Sequence, residues 1–318
     1  MLRYLVTRVG TMLGILVVVS IGLFSLIHAA PGDPVSAMIS PEELGNSEAF
    51  VKARTHELGL DRPVVEQYVA WLGRAIQGDL GESFRNNGRP VLGLLLERLG
   101  PTMELVFTAV IGSVVFSLAL GVFAASRKNR PADYLVSGGT LLFMSVPAFF
   151  LGMLAMYLFA FQLQLLPSTG MASPGDGGAA DLASHLVLPA GVLAVAETAK
   201  LTRYVRAGML EELGADYVRT ALAKGASLRR ARRHALRNTL LPLITLLVVG
   251  IPELLGGTVV VEILFSWPGM GQLTIDAITY HDYPLIIGFG VLATILVLLS
   301  NFLGDFLYRL ADPRVRLR

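Results

Sequence analysis

Six long stretches of this chain carry almost no charged side chains. They lie at 9–32, 105–126, 134–175, 182–196, 238–261 and 284–304, with Glu253 alone interrupting the fifth. A helix needs about 20 apolar residues to cross a bilayer, so the first, second and last stretches are long enough to span one. The third is predicted to hold one span that ends near Leu166, because Pro167 and the Gly/Ser-rich residues after it break helices. The chain is therefore predicted to be an all-α membrane protein.

The fourth stretch is short for a membrane span. Its charge-free run stops at Glu197, so the helix is predicted to continue through Lys200, with those charges near the cytosolic interface. Overall composition agrees with a membrane location, because only 16% of the residues are charged. An ordinary soluble domain carries about one quarter. We therefore count the fourth stretch as a span, which brings the total to six.

Basic residues alternate between successive connectors. The segment 197–238 holds ten Lys/Arg against four Asp/Glu, and basic residues also occupy the amino terminus, 127–130 and the tail, whereas 167–185 and 263–283 hold none. Basic connectors stay in the cytoplasm, so both termini are predicted to lie there. An alternative interpretation of 9–30 is a secretory signal, which its length and Pro31 after Ala30 disfavour. The chain has no cysteine, which excludes disulfides and thiolate metal sites.

The segment 33–100 is predicted to form an extracytoplasmic subdomain. A helix is expected after Asp61 as N-cap and Pro63, with Gly78 as its stop. Its apolar positions follow a helical stripe, comprising Val64, Val65, Tyr68, Val69, Leu72 and Ile76. This stripe is expected to pack on the outer ends of the spans. A second reading, compatible with the first, is that the subdomain also helps to seat a partner that delivers substrate.

The basic segment contains a short predicted helix. Between Asp216 and Gly225, the apolar residues Tyr217, Val218, Ala221 and Leu222 fall on one helical face. Gly225 suits a left-handed helix cap. A second, Arg-rich helix is expected over 227–238, before Pro242 opens the next apolar run at a favoured first-turn position. A membrane protein that exposes such a helix to the cytosol presents it to a partner.

Several function classes lack their sequence motifs. No GxxxxGK[ST] loop for nucleotide phosphates and no HExxH metal motif occurs, and the five histidines are scattered. An Arg-rich helix can bind nucleic acid, but beside a span it fits a topology anchor and partner surface better. Two alternatives remain: a stand-alone secondary transporter, for which Glu253 would be the intramembrane acid, and a membrane-embedded enzyme, for which no catalytic constellation is visible.

Ordered motifs along nearly the whole chain resemble the permease subunits of ABC importers, in the branch that moves dipeptides, oligopeptides and nickel. The segment 216–242 is similar to the cytoplasmic EAA loop of that family, although Arg219-Thr220-Ala221 stands where the general pattern has Glu-Ala-Ala. The other matching motifs are Ala30-Pro31-Gly32-Asp33-Pro34, Leu58-Gly59-Leu60-Asp61, Gly78-Asp79-Leu80-Gly81 with Ser83, Arg233-His234-Ala235-Leu236-Arg237-Asn238, Glu262 with Phe265-Ser266-Trp267-Pro268-Gly269, Asp282-Tyr283-Pro284, Asn301, Asp305 and Asp312-Pro313-Arg314.

The resemblance implies a type I importer fold and the first of two related permease subunits. It implies as partners a second homologous permease, two ATPase domains, an extracytoplasmic substrate-binding protein and membrane lipid, but no nucleic acid. ATP and Mg²⁺ would bind to the partner ATPases, so no cofactor, metal or catalytic residue is expected on this chain. The substrate would be a peptide, or alternatively a nickel chelate or another small solute. The location would be the bacterial cytoplasmic (inner) membrane.

These expectations divide the chain into four parts. Residues 1–32 form the cytoplasmic amino terminus and first span, 33–100 the extracytoplasmic subdomain, 101–308 the permease core with coupling loop 211–239, and 309–318 the cytoplasmic tail. The residues that the resemblance assigns to ATPase coupling are Asp216, Tyr217, Val218, Arg219, Thr220, Ala221, Leu222, Lys224 and Gly225.

One further residue is a candidate for the translocation pathway. Glu253 lies 11 residues beyond Pro242, which places it roughly 16 Å into the membrane at about 1.5 Å per residue. A carboxylate at that depth is costly and by default indicates a function. Two interpretations stay open: a structural acid hydrogen-bonded to the second permease, or a pathway group that meets a cation such as a peptide amino terminus.

Overall fold

The computed structural model describes residues 2–29, 52–53, 55–56, 59–86, 88–175 and 177–311. The matching motifs at 30–34 and 312–314, most of 33–58 and the end of the tail lie outside these described residues. The main helices of the described part are α1 Leu2–Ala29, α2 Val64–Ala75, α3 Val91–Ala125, α4 Pro131–Ser145, α5 Ala148–Ala155, α6 Ala179–Gly214, α7 Asp216–Ala223, α8 Leu228–Leu264, α9 Met270–Thr279 and α10 Tyr283–Ala311.

The described residues contain five helical segments long and apolar enough to cross a membrane. They are Val6–Ala29, Val91–Ala125, Ala179–Gly214, Pro242–Leu264 and Tyr283–Gly304, and the bent pair of α4 with α5 brings the total to six if it counts as one span. The weak fourth stretch does extend beyond Lys200, because α6 continues to Gly214. The all-α membrane fold expected from the sequence is confirmed.

The third predicted span is not one straight helix. α4 ends at Ser145 and α5 begins at Ala148, with a bend of 105° between them, and α5 continues as a π-helix over Met156–Gln162. Pro147 is the cause, since it lacks an N–H and forces its predecessor out of the helical region. Val146 accordingly has φ −92° and ψ 127°.

The prediction that Pro242 opens a new helix was wrong. Pro242 lies inside α8, which runs without interruption from Leu228 to Leu264 and also contains Pro252. An interior proline costs a helix about 3 kcal/mol. Buried side chains before and after the proline, Ala235 and Leu243, belong to one apolar cluster with residues of α6. Packing on both sides of Pro242 therefore holds the helix continuous.

The chain divides into two compact units, one built on Met1–Gly100 with Gly269–Leu298 and the other on Pro101–Pro268. In the first unit, α2 packs on α1 through hydrogen bonds and aromatic contacts. The Ser20 and Tyr68 hydroxyls lie 2.9 Å apart, and the Phe24 ring contacts those of Tyr68 and Trp71. These contacts attach one face of α2 to the first span.

Much of the predicted α2 stripe is exposed, although Leu72 is half-buried against the core, and the start of the helix differs from the prediction. Val65, Val69 and Ile76 are 73%, 61% and 79% exposed. The helix begins after Pro63 without a side-chain cap, and Asp61 instead accepts a hydrogen bond of 2.7 Å from His56. The assignment of Asp61 as N-cap was therefore wrong, because the imidazole provides a nearer partner for this carboxylate and lowers its pKa.

Asp282 anchors the turn that precedes α3. Its carboxylate accepts a 2.5 Å hydrogen bond from the Ser83 hydroxyl and two more from the backbone N–H groups of Phe84 and Arg85. The Arg85 guanidinium lies 3.1 Å from the ring centre of Tyr280. Charge-assisted hydrogen bonds of this kind are the strong ones, so this carboxylate holds the turn against the segment before α10.

In the second unit, α6 contacts both α3 and α8 at small residues. A methyl group added to Gly121 of α3 would lie 2.6 Å from the Cβ of Val205, and one added to Gly208 of α6 would lie 2.8 Å from Thr239. Helices in a membrane associate through close backbone approach at such residues. Near one end of these helices, Trp267 is fully buried and its indole N–H donates to the Pro101 carbonyl at 2.9 Å.

Candidate functional site

The predicted coupling helix is present as α7, between the ends of two long membrane helices. α6 ends at Gly214, the extended residue Ala215 turns the chain, and α7 then runs over Asp216–Ala223. α8 begins at Leu228, where the Ser227 hydroxyl caps the new helix by accepting from Arg230 N–H. α7 packs against both α6 and α8. A displacement of α7 therefore acts on two membrane helices together.

Gly225 ends α7 as the sequence predicted. Its φ is +84°, in the left-handed region that residues with a Cβ rarely adopt. The Ala226 N–H bonds to the Ala221 carbonyl at 3.0 Å and the Gly225 N–H to the Leu222 carbonyl at 2.9 Å. This pair of bonds resembles a Schellman cap. The cap reverses the chain within a few residues, so α7 projects as a short knob.

A network of three polar side chains fixes α7 to its neighbours. The Tyr217 hydroxyl donates to the Glu212 carboxylate at 2.6 Å, and the Asn238 amide donates to the same carboxylate at 3.0 Å and to the Tyr217 oxygen at 3.2 Å. Partial burial, followed by the hydrogen bond to Glu212, raises the pKa of Tyr217 to about 12. Tyr217 therefore stays protonated at neutral pH and remains the donor to Glu212.

The predicted single apolar face of α7 is only partly buried. Val218 is 2% exposed and Ala221 half-buried, but Tyr217 and Leu222 are 40% and 38% exposed. Since α7 contacts its own chain through Val218, the opposite face is the one available to a partner. The exposed residues on that face are Asp216, Arg219, Thr220 and Ala223, followed by Lys224 and Gly225.

The surface around α7 carries charges of both signs. Arg219 and Asp216 form an exposed ion pair at 3.5 Å, which contributes little to stability. The start of α8 adds exposed basic side chains, namely Arg229, Arg230, Arg232, Arg233 and Arg237. The exposed surface is therefore mainly polar and basic, with Leu222, Ala223 and Leu228 as its apolar contribution.

Glu253 has a partner within the chain. Its carboxylate accepts a hydrogen bond of 2.7 Å from the Lys200 ammonium of α6, and its side chain is 64% exposed. The two groups therefore lie at the same depth along the helices. Lys200, predicted to lie near the cytosolic interface, and Glu253, predicted to lie roughly 16 Å beyond Pro242, are therefore neighbours, and the depth of this pair in the membrane stays a prediction.

Sequence reasoning missed the residues that support each site. Glu212 and Asn238 hold α7, Ala223 lies on its free face, and Glu197 and Lys200 accompany Glu253. Asn238 stood in a matching motif without an assigned role, and the spacing of Glu197 and Lys200 by three residues places them on one helical face. Their proximity to Glu253 comes from the crossing of α6 and α8, for which the sequence carries no local signal.

Comparison with known proteins identifies the family. A family described as "Binding-protein-dependent transport system inner membrane component" matches residues 117–317, and its companion amino-terminal family matches residues 1–110. The chain belongs to this family. The resemblance to ABC importer permeases of the peptide and oligopeptide branch is confirmed, and the chain is a multi-pass inner membrane protein.

Full-length relatives carry peptide transport names. The chain is 41% identical to a peptide permease protein of Brucella ovis over 99% of both chains. It is 37% identical to the oligopeptide transport system permease protein AppB of Bacillus subtilis, again over 99% of both. The glutathione transport system permease protein GsiC of Escherichia coli K12 is 35% identical over 99% of both.

The fold is that of a known importer. An inward-facing structure of the MetNI methionine ABC transporter superimposes with a TM-score of 0.57 at 21% identity, over 70% of this chain and 99% of that one. At this identity the likeness concerns the fold alone. The type I importer fold predicted from the motifs is confirmed.

Proposed function

We propose that this chain forms half of the translocation pathway of an ATP-driven peptide importer. The other half would come from a second homologous permease, energy from two ATPase domains, and substrate from an extracytoplasmic binding protein. The observation that carries the proposal is α7, a short helix fixed between two membrane helices with its opposite face exposed. Such a helix has the size and exposure to fill a groove on a partner.

Coupling would proceed by rigid displacement. When the ATPase domains close around ATP and Mg²⁺, which they and not this chain would bind, α7 moves with them. The Tyr217–Glu212–Asn238 network and the buried Val218 transmit that movement to α6 and α8. ATP can shift the pathway between inward and outward access only if it binds the two states with different affinity.

Peptides are the proposed substrate class because full-length relatives are named for peptides, oligopeptides and glutathione. Glutathione is itself a tripeptide, so the compounds in these names are all amide-linked zwitterions. A nickel chelate or another small solute is the alternative that remains from the sequence. In either case the binding protein would select the substrate and the permease would pass it on.

We further propose that both termini and the connector 197–238 face the cytoplasm, and that the segment 33–100 faces outward. The basic side chains at the start of α8 support this orientation, because positively charged connectors are retained in the cytoplasm. The outward segment would help to seat the binding protein. The exposed side chains of Val65 and Val69 on α2 provide an apolar surface for that contact.

Reconstitution tests the function. The tagged chain is expressed with the products of its neighbouring genes, purified, and placed in liposomes with the binding protein and radiolabelled trialanine. We expect an ATPase and a second permease to copurify in fixed ratio and uptake to require ATP. Uptake by the chain alone, driven by an ion gradient, would establish a secondary transporter instead. ATP-dependent uptake of a nickel chelate but not of peptides would replace the proposed substrate class.

A further inference from the structure

Three charged side chains meet where α6 crosses α8. Lys200 and Glu197 lie three residues apart on α6, and Glu253 extends from α8 to within 2.7 Å of the Lys200 ammonium. Two carboxylates thus accompany one ammonium, so their formal charges leave one negative charge without a partner. Charged groups inside membrane helices are costly and are associated with transported ions or substrates.

The Glu197 side chain packs against α8 at Gly250, where the missing side chain of the glycine leaves room for it. Glu197 is 6% exposed, and its Oε1 atom is buried with no hydrogen-bond partner in the described part of the chain. A methyl group added to Gly250 of α8 would lie 2.9 Å from that atom. An unpartnered buried carboxylate oxygen is unfavourable, so this atom would gain stability from any donor that moves within reach.

Glu253 lies on a face of α8 that differs from a lipid-facing surface. The exposed positions of this face follow each other at three and four residues. They are small or polar at Pro242, Thr245, Glu253 and Gly256, and apolar at Val249, Val260 and Ile263. Exposed positions of α3 carry large apolar side chains instead, such as Phe107, Ile111 and Phe116. The face with Glu253 is therefore suited to border water or protein rather than lipid tails.

We propose that the three residues form an exchange site for the amino terminus of a peptide in transit. Before a substrate arrives, the Lys200 ammonium is bonded to the Glu253 carboxylate. An arriving α-ammonium group takes the place of Lys200 on the Glu253 carboxylate, and Lys200 turns to the unpartnered oxygen of Glu197, its neighbour one helical turn away. No charge is left unpaired after the exchange, and no covalent bond changes. This inference rests on the proposed peptide substrate.

The exchange assigns each residue a separate role. Glu253 is the binding group, Lys200 a competitor that prevents tight retention of the substrate, and Glu197 the alternative partner that lets Lys200 leave. A cation is the ligand that fits, since the cluster as a whole is negative and an anion would face two carboxylates. A transport pathway needs such weak, replaceable binding, because a group held too tightly is not released.

A set of variants of the whole complex, assayed with ATP-driven uptake of trialanine, tests the proposal. Glu253→Gln is expected to lower uptake at least about tenfold, since a hydrogen bond to a charged group is worth more than the energy equivalent of that factor. The same loss is expected in the Lys200→Gln background. A merely structural ion pair predicts the opposite, because Glu253→Gln would cost little once Lys200 is already neutral.

Glu197→Gln distinguishes exchange from a fixed pair. We expect it to lower uptake by about tenfold while complex assembly and basal ATP hydrolysis persist, because Lys200 then has no second anion. If Glu197 only fills space, the amide should be harmless and uptake unchanged, which would overturn the proposal. Glu97→Gln is the matched control, since it removes the carboxylate of the exposed Arg89–Glu97 ion pair elsewhere in the chain.

The outcomes also separate this inference from the proposed function. If the wild-type complex moves no peptide, the peptide assignment fails and the exchange site for a peptide amino terminus is refuted with it. If the wild-type complex moves trialanine and Glu253→Gln moves it equally well, the exchange site is refuted and the importer assignment stands. Binding of trialanine to the isolated binding protein is measured in parallel. This distinguishes failure of the binding protein to deliver the peptide from failure of the permease to pass it on.

Discussion

At the scale of single residues, Val218 and Ala223 of α7 have opposite environments. Val218 is 2% exposed and Ala223 is exposed. Val218→Glu would bury an unpaired carboxylate, which costs about 3–5 kcal/mol, so we expect little folded chain. Ala223→Glu should insert and fold normally, but place a charge on the face proposed to contact the ATPase and lower substrate-stimulated ATP hydrolysis at least about tenfold. Size-exclusion chromatography and ATPase assays measure both. Normal hydrolysis with Ala223→Glu would contradict the assignment of this face.

Tyr217 gives a prediction that depends on pH. Its pKa is raised from 10.0 to about 12, so the folded chain holds the proton more tightly than the unfolded chain does. The stabilisation of the folded chain by the protonated Tyr217 phenol is complete below pH 10.0 and is lost as pH rises through about 12. A titration of tyrosinate absorbance, taken as wild type minus Tyr217→Phe, should therefore show a phenol that ionises near pH 12. Ionisation near pH 10.0 would mean that Tyr217 is neither partly buried nor bonded to Glu212 in solution.

Part of this site could be predicted from the sequence. The spacing of Tyr217, Val218, Ala221 and Leu222 predicted the helix, and Gly225 predicted its end, because both signals are local. The spacing did not predict that Val218 alone would be buried. α7 contacts two long helices, and which of its sides faces them depends on where those helices end. Glu212 and Asn238 are separated by 26 residues and meet only through that packing.

At the scale of elements, the apolar stretches were predictable and their interruptions were not. Pro147 breaks the third span by 105°, whereas Pro242 leaves α8 continuous. Both prolines lack an N–H, so the difference lies in their surroundings. α8 has buried residues on both sides of Pro242 that pack with α6, while Val146 is free to adopt an extended conformation. Local sequence cannot distinguish these cases, because the distinction depends on tertiary packing.

Glycines at helix crossings give a prediction at this scale. Gly121→Ala would place a methyl group 2.6 Å from the Cβ of Val205, and overpacking of this kind costs about 1–3 kcal/mol. We expect a lower thermal unfolding midpoint in detergent. Gly138→Ala is the matched control, because nothing lies within 4 Å of its added methyl group and alanine favours a helix by about 1 kcal/mol over glycine. Equal midpoints for the two variants would contradict the close contact of α3 and α6.

At the scale of the whole molecule, the proposed orientation makes a labelling prediction. The chain has no cysteine, so a single introduced thiol reports its own side of the membrane. Gln77 and Arg229 are both exposed. We expect an impermeant maleimide to label Gln77→Cys in intact cells, and to label Arg229→Cys only after permeabilisation. The reverse pattern would overturn the orientation that the distribution of basic residues predicts.

Family membership and fold followed from many ordered motifs, because each motif holds a position in a shared architecture. Glu262, for example, is fully buried and accepts a hydrogen bond of 2.7 Å from Thr102, a role that its sequence context alone does not reveal. The substrate could not be predicted in the same way. The proposed pathway lies between two permease subunits, so residues of both would determine the substrate, and this sequence is that of one of them.

The central claim is that the exposed face of α7 contacts an ATPase, and site-specific cross-linking measures this most directly. A photoactivatable benzophenone maleimide is attached to Ala223→Cys in the purified complex, with Gln77→Cys, in the segment proposed to face outward, as the control. After illumination, the account predicts a covalent adduct between this chain and an ATPase subunit at Ala223→Cys and none at Gln77→Cys. An intact complex in which Ala223→Cys forms no ATPase adduct, while the ATPase remains bound, would contradict it.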